Sequence, residues 1–151
     1  MNTISEFEGE YLFLGNFYRC PVYMDGIQYR SSECAYQAQK TLDNVVRQQI
    51  AKLTPRQIWA GTPPRGNKYS FDVRTDWELV KNDAMYRVVL AKFTQNEELR
   101  IKLLATGEAK LVEGNTWHDN YWGDCSCDKC RGIEGKNMLG KTLMRVREQL
   151  R

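Results

Sequence analysis

Residues Thr75 to Phe93 read TDWELVKNDAMYRVVLAKF, and their periodicity decides the character of the chain. Thr75 with Glu78 three positions on has the form of a capping box, which marks a helix start. Behind it, apolar residues return at Trp77, Val80, Ala84, Val88 and Ala91, the repeat of a helix with one buried face. Working outward, Glu97 to Thr106 predicts a further helix stopped by Gly107. Leu139, Leu143, Val146 and Leu150 give the last helix its apolar stripe. Toward the N-terminus, Thr54-Pro55-Arg56-Gln57 joins an N-cap, a first-turn proline and a capping-box glutamine. GTPPRGN, Gly61 to Asn67, predicts a loop, and Ser32 is placed to cap a helix from Glu33 to about Leu42. The pattern changes only near the start, where Val22, Met24, Ile27 and Tyr29 flank Asp25-Gly26, the signal of a type I′ hairpin. The expected fold is mainly α, a single domain over residues 1–151, with a small N-terminal β-hairpin.

The chain has 151 residues and a net charge of +3. That length supports one hydrophobic core. The charge is too small to indicate nucleic acid without a clustered basic face. Lys141, Arg145, Arg147 and Arg151 are read as the solvated side of the last helix. The opening MNTISEFEGE has neither the basic nor the apolar region of a signal peptide. No apolar run reaches the roughly 18 residues of a membrane span. The cysteines number five, and three crowd into six positions, unlike a secreted disulfide framework. A cytoplasmic protein with reduced thiols and no membrane partner is expected.

Two regions carry candidate chemistry. On the first helix, Glu33, Tyr36, Gln37 and Lys40 share one face at i, i+3, i+4 and i+7, with Ala35, Ala38 and Leu42 opposite. Such a stripe is either a hydrated face or a site wall able to bind a sugar phosphate and assist cleavage at its anomeric carbon. The second region is NTWHDNYWGDCSCDKCRGIEGKNMLGKTL, Asn115 to Leu143. It holds two tryptophans, the only histidine, three cysteines and four glycines. Loops this dense in polar and aromatic groups more often carry function than connection. They form either a pocket of carboxylates and indoles or a zinc knuckle.

Six blocks make the chain recognisable. LGNFY (Leu14–Tyr18), SSECAYQAQK (Ser31–Lys40), DWELVKNDAMYRVVLAKF (Asp76–Phe93), LLATGEAKLVE (Leu103–Glu113), HDNYWGD (His118–Asp124) and GKNMLGKTLMRVR (Gly135–Arg147) resemble the NADAR (YbiA-like) family, in the family's order. The resemblance implies a predominantly helical fold and an N-glycosidase acting on ribosyl substrates, without a cofactor. Some members resemble hydrolases of riboflavin-pathway intermediates. Others are related to enzymes that strip ADP-ribose from guanine bases, sometimes paired with ADP-ribosylating toxins. The expected substrate is therefore a small molecule of nucleotide-sugar type or ADP-ribosylated nucleic acid. A non-catalytic module binding ADP-ribose or nucleic acid is the rival from another class.

Carried over by motif, Glu33, Lys40 and Asp119 are the expected catalytic residues. Asn16, Phe17, Tyr36, Gln37, Trp77, Trp122, Gly123, Asp124, Asn137 and Gly140 are the expected substrate-binding residues. Breaking a C–N bond at an anomeric carbon develops positive charge, which a carboxylate stabilises while it or a partner activates water. Lys40 would hold a phosphate as a point charge or act as an amine nucleophile. Trp77 and Trp122 offer faces for a base, although a tryptophan opening an amphipathic helix is often core. Asn137 and Gly140 suit either backbone contact with a phosphate or a tight turn. Glu113 is a pocket acid or a surface residue.

Cys125, Cys127 and Cys130 stand where riboflavin-linked bacterial members tend to have a glycine-rich stretch. With His118, or with Cys20 or Cys34 if the fold brings one close, they have the ligand types of a zinc site. A structural knuckle usually shows two separated ligand pairs, so these are read as inert or redox-sensitive thiols and no metal is assigned. His118 is left outside the catalytic set.

Overall fold

A computed structural model describes residues 2–61 and 71–151. In chain order it runs β1 (Thr3–Ile4), β2 (Arg19–Met24), β3 (Ile27–Ser31), α1 (Ser32–Ala38), α2 (Asn44–Ile50), α3 (Pro55–Gly61), α4 (Trp77–Gln95), α5 (Glu97–Ala105), β4 (Lys110–Leu111), β5 (Gly114–Asn115), β6 (Asp124–Cys125) and α6 (Met138–Gln149). Short 3₁₀ turns lie at Gly9–Leu14 and Asp128–Cys130. The fold is mainly α with small strands near the N-terminus, as the sequence predicts. Past Gly61, the loop expected over Gly61–Asn67 lies outside the described residues. The chain forms two compact units, residues 16–97 and residues 1–15 with 98–151.

In residues 16–97, Asp25 and Gly26 take φ of 52° and 82°, the left-handed pair that the type I′ turn requires. Met24 faces Ile27 and Val22 faces Tyr29 across the hairpin. Cys20, Val22, Met24 and Tyr29 turn inward and are buried, following the two-residue repeat of a strand. Helix α1 packs against both hairpin strands and against α2, α3 and α4. Its N-cap is Ser31, whose hydroxyl accepts from Cys34 N at 3.1 Å. Ser32, the expected cap, is instead the first helical residue and donates to Asn16 Oδ1 at 2.9 Å. The helix also stops at Ala38, short of Leu42, which is exposed. Arg47 of α2 ends it: its Nε donates to Ala38 O at 3.2 Å and Thr41 O at 2.9 Å, satisfying carbonyls that a finished helix leaves open.

The capping box at the head of α3 forms as predicted. Gln57 N donates to Thr54 Oγ1 at 3.3 Å, and Thr54 N to Gln57 Oε1 at 2.9 Å. Thr54→Ala should therefore cost about 1 kcal/mol, seen as a lower urea midpoint at unchanged slope. An unchanged midpoint would mean that the box contributes nothing. The box expected at Thr75 does not form. Helix α4 starts at Trp77, and the Asp76 carboxylate is held by the Arg74 guanidinium at 2.6 and 2.9 Å. Trp77, Ala84 and Val88 are buried, Val80 and Ala91 only partly, while Met85, Val89, Lys92 and Phe93 widen the buried face.

In the other unit, β1 pairs in parallel with β4, and Lys110 N and Val112 N donate to Asn2 O and Ile4 O at 2.9 Å each. Helix α5 ends before Gly107, whose φ of 62° suits glycine and stops the helix. On α6, Leu139, Leu143 and Val146 are buried as expected, Leu150 only partly. The basic run there is not all solvated. Arg147 is buried and donates to Thr106 Oγ1 at 2.8 Å, and Arg151 pairs with Glu108 and Glu148 at 2.8 Å each. No helix among the described residues is long and apolar enough to cross a membrane.

Candidate functional site

The stripe on α1 is not a hydrated face. Residues 31–39 are all buried, because neighbours cover the helix on every side. Glu33 is 8% exposed, and Tyr36 and Gln37 are 5% exposed. Buried groups of this polarity need partners. Glu33 N donates to Asn16 O at 3.0 Å, and Glu33 Oε1 accepts from Gln37 Nε2 at 2.8 Å. Gln37 Oε1 is buried without a hydrogen-bond partner. A native acceptor left this way calls for an explanation.

Tyr36 lies against Trp77, ring centroids 5.4 Å apart and tilted by 56°. Trp77 is 9% exposed, so it packs as core while it braces Tyr36. Lys40 is partly exposed, with Nζ 5.8 Å from the centre of the Tyr36 ring. Asn16 is buried, and its carboxamide is spent: Oδ1 accepts from Ser32, and Nδ2 faces Met85 Sδ at 3.4 Å. It fixes the approach to α1. Phe17 is 47% exposed.

In the second unit, asparagine and aspartate side chains fold the HDNYWGD segment. Asn115 is buried; its Oδ1 accepts from Trp117 N and Asp119 N at 3.1 Å each, and its Nδ2 donates to Asp119 O at 2.8 Å. Asp119 Oδ1 accepts from Tyr121 N at 3.1 Å and Trp122 N at 2.9 Å, a local turn typical of aspartate. Trp122 is partly exposed and meets Tyr121 edge-on at 4.9 Å. Asp124 Oδ1 accepts from Gly135 N at 2.9 Å.

The phosphate reading of the α6 N-terminus is corrected. The amides of Asn137, Met138 and Leu139 donate to the carbonyls of Gly123, Tyr121 and Trp122 at 3.1, 2.9 and 2.9 Å, so they are not open to an anion. The Asn137 carboxamide bridges Glu113 N and Leu111 O at 2.9 Å each. A side chain on Gly140 would strike Leu111 O and Asn137, and one on Gly123 would strike Glu113 O. The close approach at Gly123 and Gly140 is to the protein's own backbone.

His118 Nδ1 stands 3.1 Å from Cys127 Sγ and 3.5 Å from Cys130 Sγ. With Cys125 these four offer ligand atoms all within 4.8 Å of one another. The fourth group beside the thiols, left open by the sequence, is thus His118. Two devices place it: β5–β6 pairing opposes Asn115 and Cys125, and His118 takes a φ of 71°, turning the chain back on the thiols. Cys34 is spent elsewhere: its thiol donates to Leu53 O at 3.3 Å, and burial pushes it up to about 11.

The mainly helical frame matches the fold that the six blocks imply. The chain belongs to the NADAR domain family, whose model matches residues 4–151. It is 42% identical over 141 residues to N-glycosidase YbiA of Escherichia coli, covering 93% of this chain and 82% of that protein. An N-glycosidase of Nostoc punctiforme is 37% identical over 140 residues, 90% of this chain and 83% of that one. A riboflavin biosynthesis protein of Vibrio vulnificus is 38% identical over 138 residues, 91% of this chain but 35% of its own length. The NMR structure of the E. coli protein YbiA superposes with a TM-score of 0.79 at 40% identity, covering 99% of this chain and 86% of that chain.

Proposed function

We propose that this chain is an N-glycosidase that hydrolyses the bond between ribose and a base, and that its substrate is ADP-ribosylated guanine in a nucleotide or nucleic acid. One observation supports the assignment of chemistry most: the buried Glu33–Gln37 pair, in which Gln37 keeps an unpartnered acceptor. As the C–N bond breaks, the base leaves with the bonding electrons and the anomeric carbon gains positive charge. Glu33 stabilises that charge and takes a proton from the attacking water, whose oxygen becomes the new hydroxyl on the sugar. That proton then passes to the departing nitrogen, so the base leaves neutral and Glu33 returns to its carboxylate. Gln37 holds the carboxylate by its N–H and receives a ribose hydroxyl on its oxygen. Tyr36, on the face of Glu33 and braced by Trp77, shields the carboxylate from bulk water, which strengthens electrostatics there.

Lys40 binds a phosphate. Its partial exposure keeps it hydrated, which suits a point charge better than the desolvated amine that nucleophilic attack needs. Phe17 is assigned contact with the base. Asp119 is a positioning residue, since its carboxylate folds the turn that carries Trp122, and Trp122 and Asp124 remain candidates for ligand contact. Hydrolysis of a ribosylaminopyrimidine of riboflavin synthesis is the second substrate reading, favoured by the name of the Vibrio relative. The direct test incubates the protein with ADP-ribosylated guanosine and follows free ADP-ribose by mass spectrometry. Release supports the reading. Cleavage of the pyrimidine alone would replace the substrate, and binding of ADP-ribose without any cleavage would make the chain a binding module.

A further inference from the structure

We infer that His118, Cys125, Cys127 and Cys130 bind one zinc ion that fastens both ends of the Asp119–Asp124 segment. Tetrahedral zinc, with Zn–S near 2.3 Å and Zn–N near 2.0 Å, sets its ligand atoms about 3.5–3.8 Å apart. The four donors here lie within 4.8 Å of one another, with the imidazole nitrogen 3.1 and 3.5 Å from two sulfurs. Chain folding alone has brought them to nearly that spacing.

Hydrogen-bond donors point at two of the three sulfurs. Cys125 Sγ accepts from the amides of His118 at 3.3 Å and Cys127 at 3.5 Å. Cys130 Sγ accepts from Asn120 Nδ2 at 3.3 Å. Donors aimed at sulfur orient metal ligands and favour their charged form. The Asn120 carboxamide ties the two parts together, since its Oδ1 accepts from Cys125 N at 2.9 Å. His118 holds a left-handed φ although it is not glycine, a conformation that persists where surroundings impose it.

Three soft thiolates and an imidazole select zinc over oxygen-seeking cations. Four protein ligands leave no open position, so the role is structural. Binding exchanges the thiol protons for the metal. His118 and Cys125 are the residues immediately before and after Asp119–Asp124, so the ion closes that segment into a ring. The site does not depend on the identity of the substrate.

The untagged protein, purified without chelator under reducing conditions, should carry one zinc per chain by mass spectrometry of the metal. Cobalt put in its place should show thiolate-to-metal charge-transfer absorption. Cys127→Ser should weaken zinc binding by at least an order of magnitude, whereas Cys20→Ser should retain it. Should Cys127→Ser fail to fold, chelation of the native chain followed by zinc titration gives the same answer. Removing the metal should also speed amide exchange in Asp119–Asp124. Folded, reduced protein that arrives metal-free and takes up no zinc on titration overturns the inference, as does a cobalt complex without the thiolate band.

Discussion

Glu33→Gln is expected to lower turnover of the ribosyl substrate by about a hundredfold or more, the usual scale for a lost acid–base group. Affinity for ADP-ribose should stay nearly unchanged. The change is isosteric, and a glutamine carbonyl can still accept from Gln37 Nε2 as Glu33 Oε1 does at 2.8 Å. The bond from Glu33 N to Asn16 O, 3.0 Å, belongs to the backbone and survives. Stability is the informative control. Glu33 is 8% exposed, and burying a carboxylate opposes folding unless its partners compensate. A variant that loses turnover while its melting temperature holds or rises behaves as a residue kept for chemistry. Unchanged turnover would remove Glu33 from the reaction, and the charge stabilisation would have to come from another group.

Gly140→Ala should give the largest loss of stability. Inside a helix, alanine is favoured over glycine by about 1 kcal/mol, so propensity predicts a gain. Packing predicts the reverse. The added methyl would meet Leu111 O and both polar atoms of the Asn137 side chain. That carbonyl already accepts from Asn137 Nδ2 at 2.9 Å, and Asn137 Oδ1 holds Glu113 N. Moving α6 away from β4 breaks both bonds together. Overpacking costs about 1–3 kcal/mol and occasionally more, with the lost bonds adding about 1 kcal/mol each. The net expectation is a loss of about 2–4 kcal/mol. With about 2–4 °C per kcal/mol for a domain of this size, a drop in melting temperature of several degrees should be visible. A variant as stable as the native chain would show that helix and strand are not held as tightly as the contact implies.

Local signals were legible and distant ones were not. The Asp25-Gly26 hairpin and the Thr54 box need only neighbours in sequence, and both formed. The Thr75 box also looked local, but Arg74 took the adjacent Asp76 carboxylate. Helix α2 escaped notice because it spans only seven residues, with Val46 and Ile50 the one apolar pair a turn apart on its buried side. Its one signal was Asp43, which accepts from Val45 N at 2.9 Å. On α1 the spacing of Glu33, Tyr36, Gln37 and Lys40 was readable, while the burial of the first three came from five other elements. The same limit hid the use of the α6 amides. Their acceptors lie some fifteen residues back in the chain, beyond the cysteine segment.

The two ends of that segment also bear on how the protein can change. Asp124 Oδ1 accepts from Gly135 N at 2.9 Å, Gly123 O accepts from Asn137 N at 3.1 Å, and Gly135 fits against Gly123 and Asp124 where a methyl would not. Exit and re-entry are clasped by groups outside the intervening residues. Closing a loop twice as long on such a clasp costs only about 0.6 kcal/mol more. The four residues from Arg131 to Glu134, exposed and outside the His118–Cys130 cluster, thus form an exchangeable stretch. Insertion or replacement there should leave both the helical frame and the four zinc ligands in place, giving this chain a place to diversify without refolding.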